Sequence, residues 1–490
     1  MGENLKQRTI KGMSWSMVDN ISNAGITFIV GLIIARFITP EEYGLLGIIL
    51  VFIALFNSIV DSGFSNALIR KKHATEVDYN TIFHVNLLTS VLLYVILYFS
   101  SPLISRFFSQ PQLVVLLRVT CVIVIINAVT IIQKTILVKK LDFKTQAMAS
   151  LISSVVSGVV GIIAAVVGLG VWSLVLQQVL RQVLYTLFIW IRSQWSPKRQ
   201  FSITSLKDLF GFGWKLLVSG LLDTLWNEIN QVVIGRYYAI SSLGQYTRAK
   251  QFSDGITYGF LTAIQRVSFP SMSEVQDDDE RFTLALRKIL KMSMLLLFPI
   301  IIGLAACSES LLEVLIGSQW HDASVYIKYT CFVIMLSPVQ IIDLNVLQVK
   351  KRSDIVLKLN IIGKVFAILP LFIGAIYSIE AMLITTIVIR TLIIVPLTVL
   401  YSTGKFLSYG LLDHVRDLSK TFIAASVMGF CVYCLSFMSV NYFIMLLLQL
   451  FTGVIIYVAM CHLLKINEYY EFKLISLDIL IKVRNNYIKR

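Results

Sequence analysis

The sequence predicts an all-α polytopic membrane protein, and three observations predict it. Hydrophobic residues make up 57% of the 490-residue chain and charged residues 14%, against about a quarter charged in soluble domains. The apolar residues fall into runs of about 20, the length that crosses a bilayer as a helix. The same local pattern also occurs twice, roughly 200 residues apart. Gly12, Met13, Ser14 and Trp15 recur as Gly211, Phe212, Gly213 and Trp214; Ile34, Ala35, Arg36 and Phe37 recur as Ile234, Gly235, Arg236 and Tyr237; and Gly44 answers to Gly244.

Fourteen transmembrane helices are expected. The first, 13–35, is too long and too polar at its centre for a cleaved signal peptide. Its Asp19, Asn23 and Thr27 fall on one helical face. Spans 44–62, 82–101, 112–133, 147–168 and 171–191 follow as apolar runs divided by short charged loops. The seventh, 211–236, opens the second copy and carries Lys215, Asp223, Asn227, Glu228 and Asn230. A charge at mid-bilayer costs about 2.5–3.5 kcal/mol on insertion scales, so this face is expected to look into protein or water. The eighth, 250–270, holds Asp254 and Arg266. Spans 288–306, 323–347, 355–376, 381–400, 419–438 and 441–463 complete the set.

Charge tests the count. With the N-terminus in the cytoplasm, most of the 43 lysines and arginines fall on the cytoplasmic side: Arg70 to Lys72, Lys134 to Lys144, Arg192 to Lys207, Arg281 to Lys291, Lys350 to Lys358, Lys405 to Lys420, and the tail with Lys482, Arg484, Lys489 and Arg490. The other face has Arg36, Arg106, Arg236, Arg248 and Lys250. This split is the positive-inside pattern, and it places both termini in the cytoplasm. An even number of spans precedes the second copy, so the repeats are parallel. Two six-helix lobes, 1–208 and 209–404, are expected, with two C-terminal helices and a cytoplasmic tail over 405–490.

Several function classes drop out. The excess of 15 positive charges has no soluble domain on which to form a nucleic-acid patch. Six cysteines lie in or beside apolar runs, and Cys431 with Cys434 reads as two small packing residues, not as a redox or metal site. Five scattered histidines, no phosphate-cradling glycine loop and no catalytic constellation leave no enzyme, metal or cofactor to name.

What remains is a set of cations inside spans: Arg118, Arg181, Lys215, Arg266, Lys364 and Arg390. Arg181 and Arg390 occupy corresponding places in the two copies. One use for such cations is structural pairing with Asp223, Glu228 or Asp343. The other is a cavity that attracts an anion, for which the arginine fork is suited to phosphate and carboxylate. Arg181, Arg390 and Lys364 lie deepest, while Arg118, Lys215 and Arg266 are nearer the interfaces, where snorkelling is cheap.

Five stretches carry a family likeness: ARFITPEEYGLLGI (Ala35 to Ile48), VVIGRYYAISSLGQYTRAKQF (Val232 to Phe252), FPSMSEVQDDDERF (Phe269 to Phe282), FPIIIGLAACSESLLEVLIGSQW (Phe298 to Trp320) and PVQIIDLNVLQVKKRSD (Pro338 to Asp354). With them the chain resembles bacterial polysaccharide flippases of the MOP transporter superfamily, the branch serving exopolysaccharide, teichuronic acid and lipopolysaccharide. The resemblance implies flipping of undecaprenyl-diphosphate-linked oligosaccharide from the inner to the outer leaflet of the cytoplasmic membrane. It further implies membrane lipid and a polysaccharide polymerase as partners. Ion coupling through Asp223 or Glu228 is expected from their depth alone. A drug or metabolite antiporter of the same superfamily, with a carboxylate-lined cavity, is the nearest alternative. A membrane-embedded polymerase or glycosyltransferase is a further one, and a peptidoglycan-precursor flippase fits the quoted stretches less well.

Overall fold

The computed structural model describes residues 2–61, 63–474 and 478, without the side chains of 2–10, 13, 212 and 258. The tail cations Lys482, Arg484, Lys489 and Arg490 lie outside the described residues. Among the described residues the chain is helical and contains no strand. It packs into two compact units, Met1–Thr247 and Arg248–Arg490.

The first unit holds α1 (Gly2–Ala35), α2 (Pro40–Val60), α3 (Phe64–Arg70), α4 (Glu76–Phe108), α5 (Leu113–Thr120), α6 (Val122–Lys139), α7 (Phe143–Val166), α8 (Val171–Ser193), α9 (Ile203–Tyr237) and the beginning of α10 (Ile240–Glu274). Local chemistry sets where these helices start. Thr39 caps α2, Pro40 pre-forms its first turn, and Glu42 closes a capping box by accepting from the Thr39 amide at 3.0 Å. The second oxygen of Glu42 accepts the Val171 amide at 3.1 Å, so one carboxylate caps both α2 and α8. Thr75 and Asp78 form the equivalent box on α4.

Where α2 meets the start of α10, the repeated glycines face each other's backbone. A Cβ on Gly44 would stand 2.0 Å from the Ile240 carbonyl oxygen, and one on Gly244 would stand 1.8 Å from that of Pro40. Only glycine permits that approach. Beyond the other end of α2 the core is apolar, with Phe64, Leu68, Ile82, Phe83, Ile132, Ile136 and Leu209 in one cluster. α9 thus packs with α2, α3 and α4; the division by packing falls later in the chain than the start of the second copy.

The second unit continues through α11 (Asp279–Ile316), α12 (His321–Ile334), α13 (Ser337–Val349), α14 (Ser353–Phe366), α15 (Ile368–Ile376), α16 (Ile379–Ile389), α17 (Val395–Tyr401), α18 (Thr403–Phe406), α19 (Leu411–Leu435) and α20 (Tyr442–Leu463). A five-residue π-helical turn, Arg390–Ile394, joins α16 to α17. Phe282, Leu286, Leu290, Met294 and Phe298 of α11 pack with Ile342, Val346 and Val399 in the core. α19 is tied to α11 by Asp417, which accepts from Arg287 Nε and Nη2 at 2.7 and 2.8 Å and from the Tyr409 hydroxyl at 2.8 Å. Burial and that bond to Asp417 raise the Tyr409 phenol above its ordinary value.

Twelve helical stretches of described residues are long and apolar enough to cross a bilayer, and each overlies a span expected from the sequence. α9 and α10, at 35 residues each, reach about 52 Å, but they are too polar to stand among those twelve. Large apolar side chains such as Leu92, Phe99, Ile163, Leu392 and Phe451 are exposed on the helices. Such a surface belongs in lipid, and the chain is a multi-pass membrane protein.

Candidate functional site

Three polar stripes meet inside the first unit. On α8, Gln178, Arg181, Gln182 and Tyr185 follow the i, i+3, i+4, i+7 spacing of one helical face. On α7, Gln146, Ser150 and Ser153 do the same, and α1 contributes Asp19 and Asn23 four residues apart. α7 packs against both α1 and α8, and α6 packs on α8. The stripes are therefore turned toward one another, and a cavity of about 370 Å³ lies among them, with Asn57 of α2 and Lys134 of α6 in its wall.

Arg181 is half-buried and aimed by Asn23, whose Oδ1 accepts from Arg181 Nη2 at 2.9 Å and from Ser154 Oγ at 2.7 Å. Asp19 lies within electrostatic reach of Arg181 and Lys134. Its Oδ1 is buried and has no hydrogen-bond partner among the described residues. The wall is held by pairs between the helices: Asn127 Nδ2 donates to Asn57 Oδ1 at 3.0 Å, and the Thr130 and Thr186 hydroxyls share a bond of 2.6 Å. Chemically the cavity offers two cations, one carboxylate and a lining of amides and hydroxyls. An anion with hydrogen-bonding substituents suits it.

Of the cations expected from the sequence, Arg181 alone lines this cavity. Arg390 begins the π-helical turn of the second unit and donates through Nη2 to Ser337 Oγ at 3.0 Å and to Gln340 Oε1 at 3.1 Å. Lys364 is half-buried on α14. Arg118 turns instead to α4: its Nε donates to Ser101 Oγ at 3.0 Å, and its guanidinium lies 4.1 Å from the centre of the Tyr98 ring. Lys215 and Arg266 are exposed on α9 and α10. Asp223 is exposed and Glu228 half-buried, the latter bonded to Gln231. Asp343 meets the Ser402 hydroxyl at 3.0 Å and His414 Nε2 at 3.5 Å.

Lys134, a loop cation by its place in the sequence, belongs to α6 and to the cavity wall. The glutamines Gln146, Gln178 and Gln182 escape a count of charges because an amide is neutral. Their i, i+3, i+4 spacing is the signal that finds them.

Comparison with known proteins places this arrangement. The profile of the family described as polysaccharide biosynthesis protein matches residues 33–325. The teichuronic acid biosynthesis protein TuaB of Bacillus subtilis is 25% identical over 353 residues, 72% of this chain and 73% of TuaB. The lipopolysaccharide biosynthesis protein WzxC of Escherichia coli is 24% identical over 368 residues, 75% of each chain. Among solved structures, the lipid II flippase MurJ in its inward closed conformation superposes with a TM-score of 0.72 at 18% identity, covering 94% of this chain and 100% of that one. An inward-facing MATE family transporter of the MOP superfamily superposes at 0.55, also at 18% identity, covering 83% and 95%. At such identity the likeness is one of fold, which is that of the MOP transporters. With the profile match extending over more than half of its length, the chain belongs to the polysaccharide biosynthesis protein family.

Proposed function

We propose that this protein is a transporter that moves undecaprenyl-diphosphate-linked oligosaccharide repeat units from the inner to the outer leaflet of the bacterial cytoplasmic membrane by alternating access. A polysaccharide polymerase would consume the delivered units. The observation that carries the reading is the cavity in which Arg181 and Lys134 stand beside Gln146, Gln178, Gln182 and Tyr185. Guanidinium and ammonium groups suit a diphosphate, and amides with hydroxyls suit sugar. Its volume of about 370 Å³ lies in the range of small-molecule sites. In this reading α9 and α10 also cross the membrane, giving fourteen helices. The repeats form lobes over 1–208 and 209–404, the helices of 405–490 are appended, and both termini are cytoplasmic.

Arg390 is the second unit's candidate for the same chemistry, with Lys364 beside it in rank, and Arg118, Lys215 and Arg266 act at shallower depth. Asp223 and Glu228 are the proposed groups for ion coupling. The membrane potential alone favours export, because moving one negative charge outward releases about 2.3 kcal/mol per 100 mV.

The test is the leaflet distribution of lipid-linked saccharide in cells lacking the protein. Cytoplasmic-side accumulation, relieved by the wild type and not by Arg181→Ala, is the expected result. Absence of accumulation in the null strain overturns the reading. One observation favours a second reading, a cation-coupled antiporter: the unpartnered carboxylate oxygen of Asp19 in the cavity. In that case export of a small solute follows a cation gradient and is lost in Asp19→Asn, while the saccharide distribution is normal.

A further inference from the structure

A second cavity in the first unit, about 400 Å³, shares no residue with the first. Ile59, Phe64, Phe210 and Leu217 make it apolar, and three polar residues interrupt that wall, Asn86 and Thr89 of α4 and Lys207 of α9. Its rim is open on the apolar surface, where Phe210 is 49% exposed.

Asn86 Nδ2 and Lys207 lack partners among the described residues. Asn86 is 2% exposed, and its Nδ2 has no acceptor among the described residues. A buried donor left without a bond is rare in folded chains and calls for an occupant. Lys207 is exposed and makes no ion pair among the described residues. The carboxylate next to it, Asp208, is taken by Lys71 Nζ at 3.3 Å, which also holds Asp78 at 3.0 Å. The bond to Asp78 raises the Lys71 ammonium above the ordinary lysine value, so it stays charged and keeps Asp208 occupied.

The two groups also differ in depth. Lys207 adjoins Asp208, which Lys71 levels with Asp78 in the first turn of α4. Asn86 comes eight residues later on that helix, about 12 Å further along it. A cation therefore sits at the head of an apolar groove, and an amide donor sits below it.

We propose that this groove binds one anionic glycerophospholipid, with its phosphate on Lys207, an ester carbonyl accepting from Asn86 Nδ2, and an acyl chain along Ile59, Phe64, Phe210 and Leu217. The amide chooses the lipid class. A glycerophospholipid carries ester acceptors below its phosphate, whereas a prenyl phosphate has only hydrocarbon there and leaves the donor unmet. The lysine chooses the charge, because a choline headgroup brings its own cation to the phosphate and competes with Lys207. The inference stands whether or not the transport reading does.

The test uses the full-length protein in detergent with defined lipids, read by native mass spectrometry. The wild type is expected to retain phosphatidylglycerol over acyl-matched phosphatidylcholine. Asn86→Leu and Lys207→Gln are each expected to lower that retention about tenfold, the loss of one charge-assisted or buried hydrogen bond. Asn86→Leu removes the orphaned donor and Lys207→Gln alters an exposed position, so thermal melting is expected to be unchanged or raised, which separates lipid loss from unfolding. Equal retention of the two lipids, retention unaffected by both variants, or a prenyl phosphate that binds more tightly and with the same Asn86 dependence would each overturn the proposal.

Discussion

Arg181 Nη2 donates to Asn23 Oδ1 at 2.9 Å, and the same oxygen accepts from Ser154 Oγ at 2.7 Å. The arginine is thereby positioned from α1 and α7, not by its own helix. Arg181→Ala is expected to lower outward delivery of lipid-linked saccharide about tenfold or more, the effect of one lost charge-assisted contact. Asn23→Ala keeps the charge and loses its aim, so a smaller loss is expected, and Arg181→Lys falls between them. A leaflet-resolved saccharide assay with matched expression orders the three.

Glu42 spans two helix starts, accepting from the Thr39 amide at 3.0 Å and the Val171 amide at 3.1 Å. Glu42→Ala removes two bonds to a charged acceptor and is expected to cost about 3 kcal/mol, at about 1.5 kcal/mol each. Glu42→Gln keeps one acceptor oxygen and should lose roughly half as much. Thermal melting in detergent measures both, and equal melting points for wild type and Glu42→Ala would refute the double cap.

The glycine crossing is a sharper steric test. Gly44→Ala places a methyl 2.0 Å from the Ile240 carbonyl oxygen, and Gly244→Ala places one 1.8 Å from that of Pro40. Each is expected to destabilise by about 1–3 kcal/mol or more, as overpacking does. Gly25→Ala meets nothing within 4 Å and is expected to be neutral or stabilising, by up to about 1 kcal/mol. Yield of folded monomer and melting temperature distinguish them.

Asp417 is 7% exposed and faces Arg287 at 2.7 Å and Lys291 at 3.5 Å. Arg287→Ala leaves the carboxylate with a cation, because Lys291 and the Tyr409 hydroxyl stay in place. The expected loss is therefore about 1–2 kcal/mol, below the 3–5 kcal/mol of a buried charge left alone. Adding Lys291→Ala should give a loss greater than the sum of the two single changes. Limited proteolysis ahead of α19 reports the loosening.

If Asp223 and Glu228 couple transport to an ion, the pair Asp223→Asn with Glu228→Gln makes saccharide delivery insensitive to collapse of the ion gradient while substrate still binds. Unchanged transport and unchanged gradient dependence remove both residues from the mechanism.

The likeness between the two copies and the apolar runs were legible because each is local. Twelve of the expected spans needed no more than length and hydropathy. The partners of the buried groups were not legible. Asp343 was a candidate counterion for a membrane arginine; in the structure it meets Ser402 and His414, 59 and 71 positions further on. Arg118 was grouped with the cavity cations, yet its fork lies on Tyr98 and Ser101.

By itself the sequence determined the membrane class, the helical content, the repeat and the family, since these follow from hydrophobic length, helical period and charge asymmetry. Only the tertiary structure decided which polar faces meet. The stripe of α1 lies more than a hundred residues before those of α7 and α8, and periodicity says that each has a face without saying what that face turns to. Helix packing orients them, and it alone brings Arg181, Asp19 and Lys134 around one cavity, with Asn23 bonded to the arginine.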